Sequence, residues 1–279
     1  MPTINAVQSR DVHSAIARAS AATGVDFDYL LAQAKLESGL DPSARANTSS
    51  AAGLYQFISG TWLETLDRHG ASHGMGWADQ IISRDGGRAS IGDPALRAQV
   101  MALRFDPDAS ALMAAELARD NTAELRGFLG REPDSAELYL AHFLGAAGAR
   151  DFLGAVQADP TRSAAALFPR PAAANRAIFF DGGRARGVGE VMDLLRVKVA
   201  GAMQGDAGGW NAAAHLRPYM AAASHAPGSA GRAIEPPAAA PRPSMAETLR
   251  ATFGDQDRLP GAAGRRVDEA YAKFRTFGV

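Results

Sequence analysis

Three features of the sequence predict an all-α protein: alanine and leucine are abundant, alternating runs of β-branched residues are almost missing, and helix start signals recur from end to end. In FDYLLAQAKLES, Phe27, Leu30, Leu31 and Ala34 recur at helical spacing behind an N-cap at Asp26. Gly39 and Pro42 then stop the helix and leave Glu37 in its last turn. Asp93-Pro94 and Asp106-Pro107 each match an N-cap followed by proline at the first helical position, opening DPALRAQVMALRF and DPDASALMAAELARD. Asp134, three residues before Glu137, gives DSAELYLAHFLG a capping-box start. A last helix, GVGEVMDLLRVKVAGAM, carries Val188, Val191, Leu194, Leu195 and Val199 along one face, and weaker helices fill the gaps.

From Gly205 the composition changes. Between Ala221 and Pro243, 18 of 23 residues are Ala, Pro, Gly or Ser, too few large apolar groups to offset the entropy of ordering. The expected organisation is therefore a helical domain over 1–204, a flexible linker over 205–243 and a short helical tail over 244–279. Phe253, Tyr271, Phe274 and Phe277 give that tail groups with which to dock, and a protein partner is the role left open for it.

Bulk properties narrow the function. A chain of 279 residues builds a core without staples, and the absence of cysteine excludes disulfides and thiolate metal sites. The net charge of -1 carries no basic footprint for nucleic acid or anionic membrane. No window approaches the ~18 consecutive apolar residues of a membrane span, and the first thirty residues lack the basic and apolar regions of a secretory signal. His69 and His73 are four apart but straddle Gly70 in an expected loop, and the six histidines show no other metal spacing, so no metal and no cofactor are expected. GVGEV after DGGRAR follows no strand and reads as a turn and helix start rather than a phosphate loop. Trp62, Phe179 and Phe180 read as core.

By its type alone, a glutamate at a helix end is solvated surface. Yet Glu37-Ser38-Gly39 is followed by a small polar loop and then by the apolar-aromatic run Gly53-Leu54-Tyr55-Gln56-Phe57, so it also reads as a carboxyl held beside a groove. These elements, with Pro42, Ser49-Ser50-Ala51 and Thr61-Trp62 in that order, resemble the soluble-type lytic transglycosylases, whose pattern runs Glu-Ser-Gly, Gly-Leu-Met-Gln and a Ser-Thr-Trp-like helix start. The resemblance spans roughly residues 10 to 200 and is sharpest over 35–62.

It implies a lysozyme-like helical fold, with Glu37 as sole catalytic acid and base, Ser38 supporting it, and Tyr55, Gln56 and Phe57 at the sugar cleft. A second family block, Ala-Tyr-Asn-Ala-Gly, has the counterpart Ala141-His142-Phe143-Leu144-Gly145. His142 stands at the position of the tyrosine that contacts the catalytic carboxyl. Tyr139 lies three residues earlier on the same helix face, so either one offers Glu37 a donor.

The implied chemistry is coherent. An apolar wall of Tyr55, Phe57 and Leu36 disfavours the carboxylate ion and keeps the acid neutral for donation to a glycosidic oxygen. A hydrolase needs a second carboxylate, roughly 5 Å or roughly 6.5 to 9.5 Å from the first, and Asp67, Asp79, Asp85 and Asp93 all sit in polar or loop sequence. A transglycosylase needs only one, because the sugar's own C6 hydroxyl attacks C1. The expectation is thus a peptidoglycan lytic transglycosylase, cleaving the MurNAc-GlcNAc bond with 1,6-anhydro ends, in the periplasm or cell wall. The alternatives are a hydrolytic muramidase and a weakly active peptidoglycan-binding module.

Overall fold

The computed structural model describes residues 4–47 and 49–205, with side-chain surroundings from residue 11 onward; the linker expected after Gly205 and the tail over 244–279 lie outside the described residues. The described chain is all-α, and no helix in it is long and apolar enough to cross a membrane. α1 (Ile4–Thr23) turns into α2 (Phe27–Ser38), and a loop closed on itself leads to α3 (Ser59–His69), a 3-10 turn (Gly70–His73) and α4 (Ala78–Ile81). After a small hairpin, β1 (Ser83–Asp85) with β2 (Arg88–Ser90), come α5 (Pro94–Ala102), a second 3-10 turn (Leu103–Phe105) and the long α6 (Pro107–Leu129). α7 (Ser135–Leu144) and α8 (Ala146–Ala158) precede the short α9 (Ala164–Leu167), α10 (Pro169–Ala174) and α11 (Arg176–Phe179). A second hairpin, β3 (Phe180–Asp181) with β4 (Arg184–Ala185), leads into α12 (Val188–Met203).

The predicted start signals act as read. The Asp26 side chain accepts from the Tyr29 N–H, and Asp93 and Asp106 cap helices that have proline in the first turn. Asp134 and Glu137 form a reciprocal box, each carboxylate accepting the other's backbone N–H at 2.8 Å. At Gly187 the backbone N–H donates to Glu190, so a helix does start there, but contrary to the sequence reading a short strand, β4, precedes it. The two hairpins are the only departures from helix among the named elements, and both turn on Asp-Gly-Gly-Arg-Ala. Gly86 and Gly87 both take positive φ, as a two-residue turn between strands requires.

α2 lies in the centre, packed on α1, α6 and α12, while α7 packs on α6, α8 and α12. α1 lies along α6, joined by Arg18 to Asp108 at 2.5 Å. Trp62 and Phe179 are wholly buried, as the sequence suggests, whereas Phe180 is only partly covered. The Trp62 indole donates to the Val100 carbonyl at 3.0 Å and meets the Phe57 ring edge-on.

The loop between α2 and α3 is held by a clamp that no sequence pattern announces. Arg104, only 7 % exposed, donates from Nη1 to the carbonyls of Ser50 at 2.6 Å and Phe57 at 2.9 Å. Burial, then Arg45 and Arg97, lower its pKa to about 10, which leaves it charged at neutral pH. Gly53 sits at φ +80, where an added Cβ would lie 1.7 Å from the Arg104 carbonyl oxygen. Gly53→Ala is therefore expected to cost more than about 4 kcal/mol, through backbone strain and displacement of the clamp together. Thermal unfolding checks this; a stability loss below about 1 kcal/mol would mean the loop has another conformation within reach.

A pH effect follows from the box at the start of α7. Burial raises the Glu137 pKa, but the Arg131 bond and the Asp134 N–H outweigh it and hold the carboxyl below its ordinary 4.5. Its stabilisation is then complete above that value and lost as pH falls through the lower folded value. Acid unfolding of Glu137→Gln, followed by circular dichroism, is expected to show a shallower loss of stability below about pH 4.5 than the parent.

Candidate active site

Among the described residues three glutamates are buried: Glu37, Glu116 and Glu137. Two of them are anchored by arginine, Glu137 by Arg131 and Glu116 by Arg119, and Glu116 also holds the rings of His69 and His73. Glu37 differs. Its side chain is 3 % exposed, its Oε1 accepts the Tyr139 hydroxyl at 3.0 Å, and its Oε2 has no hydrogen-bond partner. A buried carboxyl with a single neutral donor is costly to keep, by about 1–3 kcal/mol for an unmade hydrogen bond, and is the kind of group a fold retains for chemistry rather than stability.

Helix ends aim these groups. Gly39, in the left-handed conformation, ends α2 by returning its N–H to the Lys35 carbonyl, so Glu37 stays in the last full turn. The Tyr139 hydroxyl reaches it from α7, across 102 residues of sequence. Burial and then the Glu37 charge raise the Tyr139 pKa well above its ordinary value, so the phenol keeps its proton and remains the donor. His142, one turn further along α7, brings Nε2 to 3.5 Å from the same Oε1. That is a charge contact when the imidazole is protonated and too long or misaligned for a hydrogen bond, as Nε2 makes none. Of the two residues the sequence offers for holding Glu37, Tyr139 makes the bond and His142 stands beside it.

The remaining expected site residues are placed differently from the resemblance. Ser38 makes no bond to the Glu37 carboxyl; its hydroxyl lies against the carbonyls of Ala34 at 3.1 Å and Leu54 at 2.8 Å and ties the loop to α2. Tyr55 does not line an open cleft: it is wholly buried and its hydroxyl donates to the Leu30 carbonyl at 3.1 Å. Phe57 is also wholly buried, under the Trp62 edge. Gln56, in left-handed conformation at φ +48, spends its amide on the Gly53 and Ala44 carbonyls. The tight turn accounts for the difference, because closing the loop over Arg104 buries its aromatic rings in the core.

None of the aspartates considered as a second carboxylate meets Glu37. Asp67 pairs with Arg84, Asp85 ends β1, Asp93 caps α5, and Asp79 lies in the first turn of α4. His69 and His73 lie not in an open loop but at the end of α3 and in the 3-10 turn after it, both on Glu116.

Two residues of the site carry no motif. Tyr29 and Gln33 precede Glu37 by eight and four positions, so α2 presents Tyr29, Gln33 and Glu37 on one face, all buried. Four-residue spacing back from the glutamate is the signal that finds them. Tyr29 is held protonated by burial and by the Glu37 charge, and it also borders a cavity of about 600 Å³ with Asp26, His69, Glu116, Arg119 and Leu138.

No protein-family model matches this chain. What the geometry defines, among the described residues, is an all-α domain with one buried, singly bonded glutamate between two helices.

The contrast between the buried glutamates is testable. Glu37→Gln removes a buried carboxyl that no arginine or lysine holds and is expected to keep or raise the melting temperature. Glu116→Gln replaces with a neutral amide the carboxylate that holds two imidazoles and a guanidinium, and is expected to cost about 2 kcal/mol, less than a fully buried pair because Arg119 is half exposed. Equal losses for the two variants, by calorimetry, would remove the distinction.

Proposed function

We propose that the protein is a peptidoglycan lytic transglycosylase of the soluble type, acting in the periplasm or cell wall with Glu37 as its acid and base. The observation that carries this reading is the division of labour on one carboxyl: Tyr139 occupies Oε1, Oε2 is unbonded, and each other buried carboxylate among the described residues is held by an arginine. The sequence likeness over Glu37-Ser38-Gly39 and Gly53–Phe57 supports the same assignment.

The steps follow from that arrangement. Neutral Glu37 gives the proton on Oε2 to the glycosidic oxygen, and the C1–O bond to GlcNAc breaks with both electrons going to the leaving sugar. The C6 hydroxyl of the same MurNAc then attacks C1, and Glu37, now ionised, takes its proton. The acid is restored and no water is consumed. Tyr139 keeps the carboxyl in one orientation and donates to it most strongly when it carries charge. With so little of Glu37 exposed, the glycan reaches Oε2 only when neighbouring segments part, so opening becomes part of turnover.

Clearing of purified sacculi tests the reading. Glu37→Gln is expected to abolish clearing while the protein still sediments with insoluble peptidoglycan, and Tyr139→Phe to lower turnover about 10- to 100-fold. Clearing by Glu37→Gln at the parent rate would overturn the assignment of the acid.

A further inference from the structure

Gln33 plays no part in the mechanism above, yet it sits at its centre. It is one turn before Glu37 and one turn after Tyr29 on the same face of α2. The Tyr139 hydroxyl feels the charge of Glu37 and, more weakly, the phenol of Tyr29, so it faces the stretch of α2 on which Gln33 lies between them. Gln33 is 2 % exposed, and its Oε1 has no hydrogen-bond partner. Two further unbonded polar atoms flank it, Glu37 Oε2 on the same face of α2 and His142 Nε2 on α7, 3.5 Å from the other Glu37 oxygen.

Three buried atoms without partners between two helices are not a stabilising design. An apolar side chain of similar size at Gln33 would remove one desolvated acceptor and leave the packing intact. A buried amide in this condition is explained if its partner arrives from outside the chain. The room is close by: the cavity of about 600 Å³ is bordered by Tyr29, one turn from Gln33, and by Leu138, the neighbour of Tyr139. That volume is in the range of sites for sugar-sized ligands. The unbonded atom of Gln33 is a carbonyl oxygen, so it can only accept, and the partner must supply an O–H or N–H.

We propose that Gln33 is a substrate-contacting residue, whose side-chain carbonyl accepts a hydrogen bond from a hydroxyl or acetamido N–H of a glycan seated between α2 and α7. The assignment rests on the reading of Glu37 as a glycan-cleaving acid. It adds a specificity element, because a site that offers a buried acceptor rejects ligands lacking the matching donor.

The test uses the full chain and Gln33→Met, which keeps length and flexibility and removes the acceptor. A β-1,4-linked N-acetylglucosamine tetramer is titrated into Glu37→Gln and into Glu37→Gln/Gln33→Met, and the melting temperature of each is recorded. The expected result is binding at least tenfold weaker in the double variant, with the melting temperature unchanged or higher. On the active protein, Gln33→Met is expected to raise KM for sacculus fragments more than it lowers kcat. Unchanged tetramer affinity, or a melting temperature several degrees lower, would make Gln33 a structural residue and overturn the proposal. Should Glu37→Gln bind no tetramer and the parent clear no sacculi, the glycan reading falls first and this contact with it. Weakened binding by Gln33→Met beside intact clearing by Glu37→Gln would spare the contact and refute the acid.

Discussion

The hydrogen bond from Tyr139 to Glu37 is the constraint around which the described domain is arranged. It joins the last turn of α2 to the middle of α7, two helices that do not follow each other in sequence and that α12 packs against together. A carboxyl taken out of water needs its donors supplied by the fold, and here one donor is supplied and one oxygen is left without. Fixing the orientation of an acid in this way demands that both helices end where they do. The left-handed Gly39 and the Asp134–Glu137 box set those ends, and α12 is tied to α2 by Lys35 donating to the Ala202 carbonyl at 3.1 Å.

The loop after α2 serves the same end by indirect means. Its aromatic residues are not presented to solvent but packed beneath it, and its backbone carbonyls are drawn onto the buried guanidinium of Arg104. Ser38 then transmits that rigidity to the helix turn carrying Glu37, through the Leu54 carbonyl. A buried arginine without a carboxylate among its hydrogen-bond partners is an expensive clamp, and burial, with the charges of Arg45 and Arg97, lowers its pKa. Two of the three carbonyls it holds, those of Ser50 and Phe57, belong to the loop, and the third, of Met101, anchors it to α5.

Helices were the legible part of the sequence, because caps and periodicity are local. Asp26, Asp93, Asp106, Asp134 and Gly187 each begin a helix where the chemistry of the first turn predicts it. The long α1 announces itself less clearly, as Val12, Ala15, Ile16 and Ala19 form its buried face with no capping signal to fix its start. Glu37 and His142 are legible as candidates through their motif positions and Tyr139 through its spacing from His142, but which of the last two makes the bond depends on how α7 is rotated against α2. The direction of the loop aromatics is not legible in the sequence, because a motif conveys identity and order while burial is set by a partner 47 residues away, Arg104 on the Phe57 carbonyl. Gln33 and Tyr29 fall outside any motif and emerge only when α2 is viewed along the face of Glu37.

The central claim, that one carboxyl performs both proton transfers and the sugar supplies its own nucleophile, is tested most directly by digesting purified sacculi in water enriched in heavy oxygen and weighing the products. The C6 hydroxyl is carried by the reacting ring and has the high effective concentration of an intramolecular group, whereas hydrolysis would call for a second carboxylate to activate water, and among the described residues none is hydrogen-bonded beside Glu37. The account predicts muropeptides lighter by one water than reducing ends, with no heavy oxygen at C1. Reducing ends labelled at C1 as the main product would contradict it and make the protein a muramidase.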